Sequence, residues 1–127
     1  MTAEATVLIL ALLVGHWLGD FTPLATERMT EAKADGGPLA PILGHAAVHG
    51  ALTGAAVLAV VRPGAATLAA AVGVEFVSHF LLDAARARLG RRFAVLRDAG
   101  EQLFWTVLGL DQLAHVAVLT GIAALVL

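Results

Sequence analysis

The stretch EFVSHFLLD, residues 75–83, sets Glu75, His79 and Asp83 at intervals of four inside an otherwise apolar run. On a helix that interval stacks side chains on one face, so the three groups form a single polar stripe on a greasy rod. The apolar run extends from about Ala65 to Ala85, and three further runs flank it in the chain: about Ala5 to Phe21, Pro41 to Val61 and Gln102 to Leu127. A spanning helix needs roughly 20 apolar residues, within about 17 to 25. The runs therefore predict an all-α, integral membrane four-helix bundle with up-down-up-down topology, one domain over residues 1–127.

Composition agrees with that class. The chain is 59% hydrophobic and only 14% charged, with a mean hydropathy of +0.85, whereas soluble domains carry about 25% charged residues. A soluble bundle would also need a polar face on its last helix, and Gln102–Leu127 has almost none. Ten acids against eight Lys and Arg leave a formal charge of −2, which argues against nucleic acid as a partner. The absence of cysteine excludes a disulfide framework, a thiolate metal site and a cysteine nucleophile. The first run differs from a signal peptide because the residues before it hold no Lys or Arg and include Glu4; it reads as a retained span.

The connections are less apolar. TPLATERMTEAKADGGPLAP, after the first run, reads as a Gly- and Pro-rich loop with room for one helical turn. RARLGRRFAVLRDAG, after the third, reads as a short basic amphipathic helix on the membrane surface. These two connections lie on one side and hold Arg28, Lys33, Arg86, Arg88, Arg91, Arg92 and Arg97; the other side holds Arg62 alone. Because cytoplasmic loops carry the excess of Lys and Arg, both termini are expected outside a plasma membrane. The same rule accounts for the cluster Arg86–Arg97, which could also gather anionic lipid. Trp17 and Trp105 read as interfacial anchors.

The stripe of residues 75–83 recurs in every span. His16 and Asp20, His45 and His49, and Asp111 and His115 also stand four apart, so all five histidines and four of the ten acids share the pattern. In alternating helices these stripes converge on the arginine-rich side, with His16, His49, His79 and Asp111 at similar depth. An isolated buried group of this kind is usually satisfied by a neighbouring helix. Nine are a different matter: each costs roughly 2.5 to 3.5 kcal/mol at the bilayer centre, and an interhelical hydrogen bond returns only about 0.6 to 2 kcal/mol.

A divalent metal would offset that cost. The metal candidates are His16, Asp20, His45, His49, Glu75, His79, Asp83, Asp111 and His115, and their imidazole and carboxylate donors suit zinc first, with iron or manganese as alternatives. Glu75 and Asp83 lie about 12 Å apart along the axis, so the set predicts two ions, or one ion with carboxylates orienting its ligands. Metals activate water and clamp attacking and leaving oxygens. The leading function is thus a metal-dependent hydrolase acting on a lipid or other membrane-located substrate at the cytoplasmic leaflet, with Glu75, the only glutamate within a span, as general base. The same stripes would also serve a divalent-metal or proton transporter, a di-iron redox protein or a structural metal pin. Gly15-x-x-x-Gly19 and Gly50-x-x-x-Gly54 would permit a homodimer or tight packing within one bundle.

Taken together, His16-Trp-Leu-Gly-Asp20-Phe21, His45-x-x-x-His49, His79-x-x-x-Asp83 and Asp111-Gln112-x-x-His115 resemble a family of small bacterial integral membrane proteins of unknown function, marked by H-x-x-G-D-F and D-Q-x-x-H. The resemblance covers nearly the whole chain and implies a bacterial inner-membrane location. It aligns Lys33 with a lysine of the family's following loop. Where the family has glutamine three residues after G-D-F, this chain has Leu24.

Overall fold

A computed structural model describes residues 2–127, apart from the side chain of Asp35. Five helices follow in order: α1 (Ala3–Phe21), α2 (Glu27–Asp35), α3 (Leu39–Val60), α4 (Ala65–Arg92) and α5 (Gln102–Val126), with one 3-10 turn over Ala94–Arg97. α1, α3, α4 and α5 are each long and apolar enough to cross a membrane. Among the described residues there is no strand.

Local chemistry sets the boundaries. Thr2 caps α1 by accepting a hydrogen bond from the Ala5 N–H at 3.1 Å, and α1 stops short of Pro23, whose ring disfavours helix in the residue before it. α3 begins at Leu39, two residues ahead of the expected start, with Pro41 in the first turn where its missing N–H costs nothing. Two connections differ from expectation. The first contains a nine-residue helix, α2, closed by Gly36 at φ 66°, a left-handed position that glycine adopts without a steric penalty. The third span does not end at Ala85: α4 runs on to Arg92, because arginine is a strong helix former and Arg91 and Arg92 suit the negative end of the helix dipole. The expected separate surface helix is therefore the last two turns of α4 plus the 3-10 turn.

The spanning helices close a ring in which α3 packs between α1 and α4, and α5 packs between α4 and α1. Alternation brings the start of α1 beside the ends of α3 and α5. There Leu8, Leu12, Val57, Ala71, Leu119, Ile122, Ala123 and Val126 form an apolar core. The outward face carries Leu10, Val14, Trp17, Val77, Leu81, Leu110 and Leu113, all exposed, as suits contact with lipid. The glycine motifs work inside the bundle: Gly15 faces Leu52, and Gly50 and Gly54 face Val72. At the other end α2 lies across α3 and α4, with Ala32 buried against Ile42 and Ala87, and Phe80 packed alongside.

Candidate metal centre

Under α2 the four stripes meet. His16 from α1, His45 and His49 from α3, Glu75, His79 and Asp83 from α4, and His115 from α5 are all buried. The imidazoles form one packed cluster: His49 stacks on His79 with ring centroids 3.6 Å apart, His79 lies 4.3 Å from His115 and 5.2 Å from His45, and His16 lies 5.1 Å from His49.

Hydrogen bonds fix which nitrogen faces inward. His79 Nδ1 pairs with Glu75 Oε1 at 3.2 Å, and His115 Nδ1–H donates to the Asp111 carbonyl at 2.8 Å. Both leave Nε2 buried without a hydrogen bond, 3.5 and 3.8 Å from the Asp83 carboxylate. This is how carboxylates and carbonyls orient metal-ligating histidines: one ring nitrogen is held so that the other presents its lone pair. His49 Nε2, 3.5 Å from Asp20 Oδ1, and His16 Nδ1 are also buried without a hydrogen bond, as is His45 Nδ1. His16 Nε2 pairs with Gln112 Oε1 at 3.1 Å, and the Gln112 amide donates to Asp20 Oδ2 at 3.1 Å.

Three overlapping donor groups result, each with one atom per residue within 4.8 Å of the others: His16, His49, Glu75 and His79; Asp20, His45, His49 and His79; and His79, Asp83 and His115. His79 belongs to all three. Glu75 and Asp83 fall into different groups, in keeping with their separation along α4. Packing also explains Gly19, since a β-carbon there would collide with the His49 imidazole.

The site differs from the sequence reading at two positions. Asp111 stands outside all three groups: its carboxylate turns towards Arg86, 3.9 Å away, and only its backbone carbonyl touches the cluster. The next residue, Gln112, is the α5 side chain that reaches Asp20. Lys33, absent from the candidate ligands, enters from α2. Its Nζ lies 3.1 Å from Asp20 Oδ1, 3.2 Å from His45 Nε2 and 3.1 Å from Asp83 Oδ1, the last as an ion pair off the line of a hydrogen bond. Burial on its own would lower the affinity of Lys33 for its proton; Asp83 and Asp20 outweigh burial and hold its pKa above the ordinary value. His45 Nε2 lies 2.9 Å from Asp20 Oδ1, and its tautomer decides whether it donates there or accepts from Lys33.

Beside Asp20 and Lys33 a cavity of about 330 Å³ opens, with Arg86, Asp111 and Gln112 on its polar wall and Phe21, Phe104 and Leu108 on its apolar wall. Arg86 lies over the Phe104 ring at 5.7 Å. The remaining arginines of α4, Arg88, Arg91 and Arg92, are exposed.

Residues 8–127 match the family model described as "Protein of unknown function (DUF3307)". The chain belongs to this family. Neither the curated proteins nor the solved structures contain a match to it. DUF3307 membership accords with the resemblance read from the motifs, and it attaches no activity to the cluster. The chemistry of the donors carries the argument from here.

Proposed function

We propose that this DUF3307 chain is a membrane-embedded, metal-dependent hydrolase acting on a lipid or other membrane-located substrate at the cytoplasmic leaflet. The observation that carries the reading is the set of buried ring nitrogens on His16, His49, His79 and His115 that make no hydrogen bond, three of them 3.5 to 3.8 Å from the carboxylates of Asp20 and Asp83. A buried unsatisfied polar atom costs about 1 to 3 kcal/mol, and a divalent ion satisfies several at once. The donors fit zinc first, with iron or manganese as alternatives.

A bound ion would polarise the scissile group and activate water. The chain's own residues supply the rest. Glu75 holds His79 with one carboxylate oxygen, and the second is proposed to take the proton from water as general base. The 330 Å³ cavity reaches the cluster at Asp20 and His45, and it would seat a substrate with its polar group at Arg86 and Lys33 and its apolar part against Phe21, Phe104 and Leu108. A translocation route would need the stripes to continue, and beyond Thr53 the interior passes to Leu8, Leu12, Val57 and Ile122. That apolar half favours hydrolysis over transport.

The test is a screen of lipid esters, phosphoesters and amides with metal-loaded protein in detergent, comparing the parent chain with Glu75→Gln. The expected result is turnover by the parent and a loss of 100-fold or more in Glu75→Gln when rates are compared per bound metal ion, the range general-base removal gives. Equal turnover by both would remove Glu75 from the chemistry, and a metal-loaded parent inert across the panel would count against hydrolysis.

A further inference from the structure

We infer that Lys33 is a built-in cation standing where a second metal ion would bind, so that the chain holds one divalent ion at the histidine pole and accepts another only when Lys33 is gone. The inference rests on the metal-binding part of the reading above and not on hydrolysis.

Nine candidate donors suggest two ions only if both poles lack a cation, and the poles are not alike. At the outer one, Lys33 Nζ sits among Asp20 Oδ1 of α1, His45 Nε2 of α3 and Asp83 Oδ1 of α4, at 3.1, 3.2 and 3.1 Å. An ammonium has three protons to donate and accepts nothing; two carboxylates flank it, and His45 Nε2 accepts from it in the tautomer that carries its proton on Nδ1. A metal bound to the same oxygens and nitrogen at about 2.0 to 2.2 Å would fall in the space that Nζ fills. At the inner pole His16, His49, Glu75 and His79 bring four donors within 4.8 Å, and His79 and His49 each present a buried nitrogen that makes no hydrogen bond. Nζ takes its partners from the other pole: Asp20, His45 and Asp83.

Charge points the same way. Asp20, Glu75 and Asp83 carry three negative charges when ionised, and Lys33 returns one positive charge. Asp111 and Arg86 pair at the rim and contribute no net charge. One divalent ion cancels the remaining two charges. A second ion with Lys33 still in place would leave the pocket with a net charge of plus two in a low-dielectric interior, where unpaired charge is most costly. The backbone that carries Lys33 is held in place: Ala32 packs against Ile42 and Ala87, and Gly36 closes α2.

The experiment is elemental analysis of protein purified in detergent, equilibrated with excess Zn²⁺ and desalted, for the parent chain, Lys33→Met and Lys33→Arg. The expected contents are one zinc per chain for the parent, two for Lys33→Met and one for Lys33→Arg. Two zinc ions in the parent would overturn the inference and leave metal binding intact; one zinc in a folded Lys33→Met, checked by circular dichroism, would do the same. Should Lys33→Met fail to fold, the parent count and its retention in Lys33→Arg decide the matter. No zinc on any of the three would overturn the inference and the metal-binding reading together.

Discussion

The two halves of this bundle use the same four helices and opposite chemistry. In one half Leu8, Leu12, Val57, Leu119 and Ile122 interlock as an apolar plug. In the other, one turn or two away on each helix, five imidazoles and three carboxylates are enclosed under a half-buried ammonium. The plug is stable by close packing alone, and it asks nothing of a ligand. The polar half buries groups whose removal from water is expensive, and several of its ring nitrogens make no hydrogen bond. The difference teaches that the apolar half carries the fold, while the polar half gathers donors that, on the proposed reading, would receive a cation. α2 appears only over the polar half, bringing the one lysine of the chain with it.

Substitutions can break this division or sharpen it. The largest effect on stability is expected for Lys33→Ala assayed in chelator, because it leaves Asp20 and Asp83 buried without their cation; breaking a buried pair costs about 3 to 5 kcal/mol. Its melting temperature in detergent should fall well below that of the parent and recover when Zn²⁺ is added. Leu12→Ala in the plug should cost about 2 to 5 kcal/mol by opening a cavity, with metal content unchanged. A loss of metal in that variant would mean that the halves are coupled rather than separate.

Gly19→Ala should act in the opposite sense. Its new methyl group meets the His49 ring, so zinc affinity measured against a competing chelator should fall about 10- to 100-fold, the range for disturbed ligand orientation. Gly109→Ala, with open space around it, should leave affinity alone. The smallest expected effect belongs to Gln112→Leu, which removes the bridge between His16 and Asp20 and should cost about 1 kcal/mol, the scale of one interhelical hydrogen bond.

How legible each half was follows from these same features. The spans and the stripes could be read because membrane helices must be continuously apolar, which leaves any ionisable group conspicuous, and because the four-residue interval is a property of the helix itself. Asp111 shows the limit of that reasoning. Its interval from His115 is the expected one, yet only its backbone carbonyl is used, and Gln112, one position on and about 100° round the helix, supplies the side chain. Periodicity places a residue on a face and cannot resolve which of two adjacent positions reaches a neighbour. Lys33 was harder still. In a loop rich in Gly, Pro and charge, a lysine reads as solvated, and nothing local announces that Ala32 will dock α2 on α3 and α4. Only the family resemblance singled it out. The extension of α4 to Arg92 was masked by the drop in hydropathy at Arg86, which marks the end of the apolar run and not the end of the helix.

His79 offers the most direct test of the claim that the polar half is a metal centre, since it alone belongs to all three donor groups. Divalent metal should be measured per chain in purified parent protein and in His79→Ala, with Leu12→Ala as a control for general loosening. The account predicts metal in the parent and in Leu12→Ala and its loss from His79→Ala; a parent chain that binds none after equilibration with zinc, iron or manganese, or a His79→Ala that keeps the parent's full complement, would contradict it.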